Sequence, residues 1–204
     1  GEINAAGGKA KAFICDVAKE SDIEATVKGV TEAFGRLDIL VNNVAISDNK
    51  HMLDITTEEW NRTIAITLTA PFLFGKHAAK AMIAAGNGGK IVNVSSTSGY
   101  YGRNRAVAYT AAKGGVVNLT RSMAIQLAPH KIRVNSVVPN KIGSPVGKEE
   151  FDPTRPVKNL VDRPGVPIDL ANAILFLVSD DSSFIVGSDL FVDGGCATLM
   201  PGNE

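Results

Sequence analysis

The chain is organised around two neighbouring segments, Ile91-Val-Asn-Val-Ser-Ser96 and Tyr109-Thr-Ala-Ala-Lys113. The first is an apolar run with β-branched residues, which predicts a buried strand with Ser96 at its end. In the second, the tyrosine and the lysine are four residues apart, so a helix places both side chains on one face with Cβ atoms roughly 5–6 Å apart. A strand followed by a helix therefore brings a hydroxyl, a phenol and an ammonium group to one place.

These three groups predict general acid–base chemistry. A free phenol has a pKa of about 10, so very little of it is ionised at neutral pH. A positive charge roughly 4 Å away, at an effective dielectric constant of about 20, lowers that pKa by about three units. We therefore predict that Tyr109 is the acid/base, that Lys113 lowers its pKa, and that Ser96 orients the substrate oxygen.

The composition limits domain organisation and partners. The 204 residues, 45% of them hydrophobic, suit one compact domain that spans residues 1–204. Lysine and arginine total 21, as do aspartate and glutamate, and this balance disfavours a nucleic-acid or membrane-surface partner. No long apolar run and no signal-peptide pattern are present, which predicts a soluble cytoplasmic protein.

The cysteines and histidines do not form a metal-binding pattern. Cys15 and Cys196 lie far apart without the spacing of zinc ligands, and we expect both to be reduced packing residues. His51, His77 and His130 form no ligand pattern with nearby cysteines or carboxylates. We therefore predict no catalytic metal.

Apolar β-type segments alternate with longer segments of helical periodicity, which predicts an α/β protein with a parallel sheet. The predicted strands cover residues 10–17, 37–43, 90–95, 132–138 and 188–192. The predicted helices cover residues 1–6, 21–34, 56–85, 109–128 and 168–179. Capping boxes are predicted at Ser21 and Thr56, with a helix interruption at Pro71. Residues 140–167 are rich in proline, glycine and charge, which predicts a loop that covers the substrate.

Four further segments, placed before and after the serine, tyrosine and lysine, carry recognisable motifs. They are Cys15-Asp-Val17, Asp38-Ile-Leu-Val-Asn-Asn43, Arg163-Pro-Gly-Val-Pro167 and Val192-Asp-Gly-Gly195. With these segments the chain resembles the short-chain dehydrogenase/reductase family nearly from end to end. The resemblance implies a Rossmann-type doubly wound parallel sheet, and an oxidoreductase that uses NAD or NADP to interconvert a secondary alcohol and a ketone.

The resemblance also implies which residues contact the cofactor. They are Asp16, Val17, Asn43, Val44, Ala45, Tyr109, Lys113, Pro139, Ile142 and Ser144. Two segments differ from the family: Val44-Ala45 stands in place of Ala-Gly, and Pro139-Asn140 in place of Pro-Gly. The added side-chain bulk at Val44-Ala45 is expected to crowd the cofactor passage, whereas Asn140 tolerates the left-handed backbone that a glycine adopts.

Thr67 stands where the family usually has an asparagine whose backbone carbonyl holds a water linked to the catalytic lysine. In a regular helix that carbonyl accepts the N–H of residue 71, but Pro71 has no N–H. Thr67 is therefore predicted to hold the water through its free carbonyl. The alternative is that Pro71 only kinks the helix.

The family's Gly-rich phosphate turn, T-G-x-x-x-G-x-G, does not occur in the sequence. Roughly 40–50 residues of the family, including its strands 1 and 2, have no counterpart here. The third family strand, residues 10–17, would then lack a neighbour, so we expect part of a longer chain or a truncated product that binds cofactor poorly. The residue that selects NAD or NADP falls in the same region, so cofactor preference cannot be read.

Two functions remain open on the sequence alone. The first is an NAD(P)-dependent oxidoreductase whose substrate is a 3-oxoacyl thioester, a sugar or polyol, or a hydrophobic ketone. The second is a catalytically impaired relative that serves as a binding or assembly protein, which the missing turn and the altered segments favour. Three residues of the loop favour an apolar substrate or else pack in the core: Phe151, Val157 and Leu160.

The resemblance implies a homotetramer or homodimer formed through helices 57–85 and 109–128. Gly114 and Gly115 lie in the second of these helices, where each costs about 1 kcal/mol relative to alanine. That cost suggests close packing against another backbone, for which a partner subunit is one candidate.

Overall fold

The computed structural model describes residues 1–143 and 158–199. Its helices are α1 (Glu2–Ala5), α2 (Glu20–Phe34), α3 (Thr57–Ile64), α4 (Ala70–Ala85), α5 (Val107–Leu127) and α6 (Pro167–Val178). Its strands are β1 (Ile39–Asn42), β2 (Gly89–Val94), β3 (Ile132–Pro139) and β4 (Asp189–Val192). A π-helical turn joins α3 to α4 at Ala65–Thr69. Short 3₁₀ turns cover Thr97–Gly99, Ala128–His130, Asp180–Ser182 and Cys196–Thr198.

The strands form one parallel sheet in the order β1-β2-β3-β4. Side chains alternate between its two faces. Helices α4 and α5 cover one face, where Met82, Ile91 and Val134 belong to one core cluster. Helix α6 covers the other face, where Leu177 and Val92 belong to a second cluster. The predicted α/β class with a doubly wound parallel sheet is confirmed.

Residues 10–17, predicted as a strand, belong to no strand in the described part of the chain. Two of their N–H groups bond side chains instead: Ala10 donates to Asn4 Oδ1 at 2.7 Å, and Asp16 donates to Asp22 Oδ2 at 3.2 Å. Among the described residues β1 pairs only with β2, so this segment has no adjacent strand. The prediction was wrong because a strand depends on its partner as well as on local propensity.

One of the two predicted capping boxes is present. The Thr56 hydroxyl accepts the Glu59 N–H at 3.2 Å, and the Glu59 carboxylate accepts the Thr56 N–H at 3.0 Å. Ser21 does not cap α2, because the helix already begins at Glu20 and Ser21 lies inside its first turn. Its hydroxyl instead donates to Asp22 Oδ1 at 3.3 Å.

Pro71 interrupts the long helical stretch, as predicted. It lies in the first turn of α4, directly after the π-helical turn. There the Ala70 N–H donates to the Ala65 carbonyl, five residues back in place of the usual four. The wider turn suits this position, because the proline has no N–H to donate to Thr67.

The paired glycines of α5 pack within the chain. A Cβ added to Gly114 would lie 3.4 Å from the Gly99 carbonyl oxygen, and one added to Gly115 would lie 2.8 Å from a methyl group of Leu68. At Gly114 the neighbouring backbone therefore belongs to the same chain, and the added Cβ would meet it at an ordinary van der Waals distance.

The predicted substrate-covering loop is described only in part. Three of the residues named above lie outside the described residues: Ser144, Phe151 and Val157. At the base of the loop Ile142 pairs with Gly165, and the Gly143 N–H donates to the Gly165 carbonyl at 3.0 Å. Leu160 is 61% exposed and is not a core residue.

Residues 1–143 and 158–199 contain neither a helix suited to spanning a membrane nor a cluster of metal ligands. In these ranges no helix combines the necessary length and apolarity. Nor do three or more His, Cys, Asp or Glu side chains come close enough there to hold a metal ion. Cys15 and Cys196 are free thiols.

Candidate active site

Ser96 lies just beyond the carboxyl end of β2. Its Oγ accepts the Ser98 N–H at 3.1 Å and so caps the turn Thr97–Gly99. Because that bond uses an acceptor lone pair, the hydroxyl proton can still be donated. Only 9% of Ser96 is exposed, so its hydroxyl lies largely protected from solvent.

The turn after β2 is in direct backbone contact with α5. Ser95 Oγ donates to the Lys113 carbonyl at 3.2 Å. A Cβ added to Gly99 would lie 2.7 Å from that same carbonyl oxygen, which is closer than such atoms approach in proteins. The absence of a side chain at Gly99 therefore lets the turn reach the helix and fixes Ser96 relative to Lys113.

The start of α5 is capped by a residue from a distant loop. Ala106 occupies the cap position with a left-handed backbone (φ 69°) and makes no side-chain cap. Its N–H donates to the Lys50 carbonyl at 2.8 Å, and Asp48 Oδ1 accepts the Tyr109 N–H at 3.1 Å. The Asp48 carboxylate thus anchors the helical turn that carries Tyr109. Sequence reasoning missed Asp48, because it lies 61 residues from Tyr109 and carries no local signal.

Tyr109 is buried, with 9% of its surface exposed. Burial raises the pKa of its phenol, whereas a hydrogen bond with the Ser96 side chain and the charge of Arg103 lower it. The central guanidinium carbon of Arg103 is 6.0 Å from the centre of the Tyr109 ring. Sequence reasoning also missed Arg103, since only the folded turn before α5 brings it over the ring.

Lys113 is almost fully buried, with 3% of its surface exposed. Its Nζ donates to the Val94 carbonyl at 2.5 Å and lies over the Tyr109 ring, 5.7 Å from the ring centre. Burial lowers the pKa of this amine to about 8. That Lys113 lowers the Tyr109 pKa stays a prediction; in this arrangement the burial of the phenol outweighs the groups that lower its pKa.

Thr67 is completely buried in the π-helical turn. Its hydroxyl donates to the Ile46 carbonyl at 3.0 Å and accepts the Ile46 N–H at 3.1 Å. The two bonds hold the segment after β1, which contains Val44 and Ala45. The sequence pattern gave no sign of this side-chain contact, which joins residues 21 positions apart.

A buried chain of polar side chains lies beneath the site. Asn42 Nδ2 donates to Asn93 Oδ1 at 2.8 Å and to the Pro71 carbonyl at 3.3 Å. Asn93 Nδ2 in turn donates to Thr120 Oγ1 at 2.9 Å. This chain ties β1, β2 and α5 together, and its members satisfy one another's polar groups within the core.

Several residues expected to contact a cofactor border a groove of about 310 Å³ beside β1. Val17, Asn43 and Val44 line it, and Val44 is 57% exposed. Asp16 is exposed and does not line the groove. Its carboxylate accepts the Ala18 N–H at 3.1 Å, and this bond is the main cause of its lowered pKa.

The remaining expected cofactor residues lie after β1 and β3. Ala45 follows β1 in the segment that Thr67 holds, and Pro139 is the last residue of β3. Ile142 lines a second cavity, of about 330 Å³, together with Asn140. The structure therefore brings Ser96, Tyr109 and Lys113 together. Of the expected cofactor residues, Val17, Asn43 and Val44 border one cavity and Ile142 borders another.

The chain matches known proteins over almost its whole length. The family profile described as enoyl-(acyl carrier protein) reductase matches residues 2–197. A cyclopentanol dehydrogenase of Comamonas sp. is 40% identical over 199 residues, covering 95% of this chain and 79% of that protein. A cis-4-hydroxycyclohexanecarboxylate dehydrogenase of Sinomonas cyclohexanicum is 42% identical over 196 residues, covering 93% of this chain and 78% of that protein.

A solved structure shares the arrangement of helices and strands. The crystal structure of a short-chain type dehydrogenase/reductase from Mycobacterium marinum superimposes with a TM-score of 0.88 and 35% sequence identity. The superposition covers 97% of this chain and 80% of that chain. Since the fold, the family profile and the relatives all agree, the chain belongs to the short-chain dehydrogenase/reductase family of oxidoreductases.

Proposed function

We propose that this protein is an NAD(P)-dependent dehydrogenase that interconverts a secondary alcohol and a ketone. The observation that carries the proposal is the meeting of Ser96, Tyr109 and Lys113 beyond the carboxyl end of β2. The Ser96 side chain is near enough to the phenol to lower its pKa, and the amine lies over the phenol ring. A carbonyl oxygen placed between the two hydroxyls can be held by one and protonated by the other.

The relatives suggest the kind of alcohol. Two of them are named for cyclopentanol and cis-4-hydroxycyclohexanecarboxylate. Both compounds carry a secondary hydroxyl on a saturated ring. We therefore propose a cyclic secondary alcohol, or the corresponding ketone, as the substrate of this protein.

Each side chain of the site has a distinct role in this proposal. Tyr109 gives a proton to the carbonyl oxygen during reduction and takes it back during oxidation. Ser96 donates a hydrogen bond to the same oxygen, since its proton is not used by the Ser98 contact. Asp48 holds the backbone of Tyr109 in place. The Thr67 carbonyl, to which Pro71 cannot donate, holds a water that relays the proton.

The buried amine of Lys113 fits a cofactor that carries hydroxyl groups. An ammonium group has three N–H donors. Within residues 1–143 and 158–199 the Val94 carbonyl is its hydrogen-bond acceptor, which leaves two donors without a protein acceptor there. Buried donors of this kind favour a ligand that supplies acceptor oxygens. We therefore assign Lys113 and Tyr109 to the ribose of NAD or NADP.

The other expected cofactor contacts are Asp16, Val17, Asn43, Val44, Ala45, Pro139, Ile142 and Ser144. Val17, Asn43 and Val44 already share one groove, which supports the assignment. When bound, the nicotinamide group accepts or supplies the hydride of the carbinol carbon. The protein's own residues hold the substrate oxygen and move the proton.

We also propose that residues 1–204 act as one domain in which 140–167 cover the substrate. The contact between Ile142 and Gly165 supports the second point, because it closes the base of this loop.

Replacement of Tyr109 tests the function directly. Tyr109→Phe removes the transferable proton but keeps the ring, so turnover of cyclopentanol with NAD⁺ or NADP⁺ should fall by about 10²–10⁴-fold. Coenzyme affinity, measured by fluorescence titration, should fall by no more than about tenfold, because Tyr109 is only one of the groups assigned to the ribose. Comparable turnover by the variant would exclude Tyr109 as the acid/base. Coenzyme binding by wild type without turnover of cyclic alcohols or ketones would favour the binding-protein alternative.

A further inference from the structure

A third cavity, of about 270 Å³, opens next to the proposed catalytic groups. It begins at Thr97 and Ser98, the two residues that follow Ser96. Its far wall comes from Cys196, Ala197 and Leu199. The Tyr101 hydroxyl connects the two walls by donating to the Ala197 carbonyl at 3.1 Å. The cavity is therefore a built feature that joins the end of β2 to the segment after β4.

Arg103 provides a positive charge on the wall of this cavity. Its guanidinium group lies over the Tyr109 ring, 6.0 Å from the ring centre. Among the described residues Arg103 has no carboxylate partner, whereas Arg36, Arg121 and Arg163 each bond an aspartate. An exposed guanidinium with free donors, beside a reacting group, is suited to bind a planar anion in bidentate geometry.

We infer that Arg103 binds the carboxylate of the substrate, so that the protein acts on a hydroxy acid or the corresponding keto acid. The inference rests on the proposed function, since it places the alcohol carbon at Tyr109 and the carboxylate at Arg103. Because the guanidinium carbon is 6.0 Å from the centre of the Tyr109 ring, one small molecule can reach both groups. No redox step is added: the alcohol is oxidised as before, and the carboxylate is only held.

The size of the cavity favours a compact acid. Sites for small molecules usually measure about 300–1,000 Å³, and this cavity is slightly smaller, with about 270 Å³. Ser98 and Asn140 also line the cavity, and their side chains can donate hydrogen bonds to the oxygens of a carboxylate that Arg103 holds. The names of the relatives leave the matter open, since one names a ring acid and the other a neutral ring alcohol. Arg103 is the feature of this chain that favours the acid.

A comparison of charged and neutral substrates tests the inference. Wild type, Arg103→Gln and Arg105→Gln are assayed with 4-hydroxycyclohexanecarboxylate and with cyclohexanol. Arg105 is the matched control, because it is an exposed arginine two residues away that does not line the cavity. Arg103→Gln removes a charge that lowers the Tyr109 pKa, so turnover of both substrates changes by a common factor. Beyond that common factor, the variant should raise the KM for the acid about 10- to 100-fold relative to the KM for cyclohexanol. Arg105→Gln should leave both substrates unaffected.

An equal loss with both substrates would overturn the inference, because Arg103 would then act through the tyrosine or the fold. Wild-type turnover of cyclohexanol without any preference for the acid would also overturn it, while leaving the proposed function intact. The two proposals are thus separable by experiment.

A binding measurement gives an answer that does not depend on turnover. Cyclohexanecarboxylate and cyclohexanecarboxamide are titrated calorimetrically into the same three proteins in the presence of NAD⁺ or NADP⁺. The affinity of the carboxylate for wild type and for Arg105→Gln should be at least about tenfold higher than its affinity for Arg103→Gln. The carboxamide should bind all three proteins with similar affinity. Equal binding by Arg103→Gln, or none by wild type, contradicts the inference. Tighter binding of methyl phosphate than of the carboxylate would replace the acid with a phosphate ester and reject the hydroxy-acid assignment.

Discussion

The pKa of Tyr109 determines how each direction of the proposed reaction depends on pH. Burial raises that pKa, while Ser96 and Arg103 act against it, so the phenol is mainly protonated at neutral pH. A protonated phenol is ready to donate to a ketone, but it must first lose its proton to accept one from an alcohol. Oxidation should therefore accelerate about tenfold per pH unit over the range below the pKa of Tyr109, whereas reduction should not. A pH profile of kcat/KM for both directions measures this, and a flat oxidation profile contradicts it.

Lys113 links the site to the stability of the fold. Its folded-state pKa of about 8 lies below the ordinary value of 10.5, because burial disfavours the charged amine. Below about pH 8 the amine is charged in both folded and unfolded states, so the full cost of burying the charge is present. Between the two pKa values the unfolded chain binds more protons than the folded chain, so stability rises with pH.

Lys113→Met removes this linkage. At neutral pH the variant should gain stability relative to wild type, and by about pH 10.5 that difference should shrink by about 3 kcal/mol. Urea unfolding of both proteins across this range measures the difference, and Lys28→Met, at an exposed position in α2, provides the baseline. If the difference in the free energy of unfolding stays constant with pH, burial does not lower the pKa of the Lys113 amine.

At the scale of elements, the contact between α5 and the turn Thr97–Gly99 positions the three proposed catalytic groups. Gly99→Ala would press a methyl group against the Lys113 carbonyl oxygen at 2.7 Å, so backbone must move. We expect the free energy of unfolding to fall by about 1–3 kcal/mol, and turnover to fall as Ser96 shifts. Gly114→Ala is the matched control, since its methyl group would meet the Gly99 carbonyl at an ordinary 3.4 Å. Similar unfolding curves for both variants would show that the contact is not tight.

The same elements show what could be predicted from the sequence. Strands β1 to β4 follow from short apolar runs between glycines and helices, and Thr56 shows its cap through a local pattern. Residues 10–17 carry the same apolar signal without forming a strand, because a strand needs an adjacent partner that local sequence does not reveal. The π-helical turn at Ala65–Thr69 was likewise visible only as an interruption at Pro71.

Some residues of the candidate site could be predicted from the sequence and others could not. Ser96, Tyr109 and Lys113 were predictable, because a strand end and one helix face fix their positions. Asp48 and Arg103 were not, since the first reaches Tyr109 from a distant loop and the second through the fold of the preceding turn.

For the whole molecule, the apolar surface favours assembly. Ile168 and Leu175, two turns apart on α6, are 60% and 65% exposed, and Phe184 beyond the helix is fully exposed. On the opposite face of the sheet, Phe72 of α4 and Ile125 of α5 are 46% and 76% exposed. Two separate apolar surfaces suit a tetramer with two kinds of interface. In each interface the same surface of two subunits would meet across a twofold axis.

We therefore predict a homotetramer, with a homodimer as the product when one surface is lost. Light scattering at micromolar concentration should give the mass of four chains for wild type. Leu175→Glu combined with Phe184→Glu places charge on the α6 surface, where burial without a partner is strongly unfavourable, and should halve that mass. Leu53→Glu serves as the control, because Leu53 is an exposed apolar residue outside both helices. A monomeric wild type would contradict the assembly, and an unchanged mass in the double variant would exclude the α6 surface as an interface.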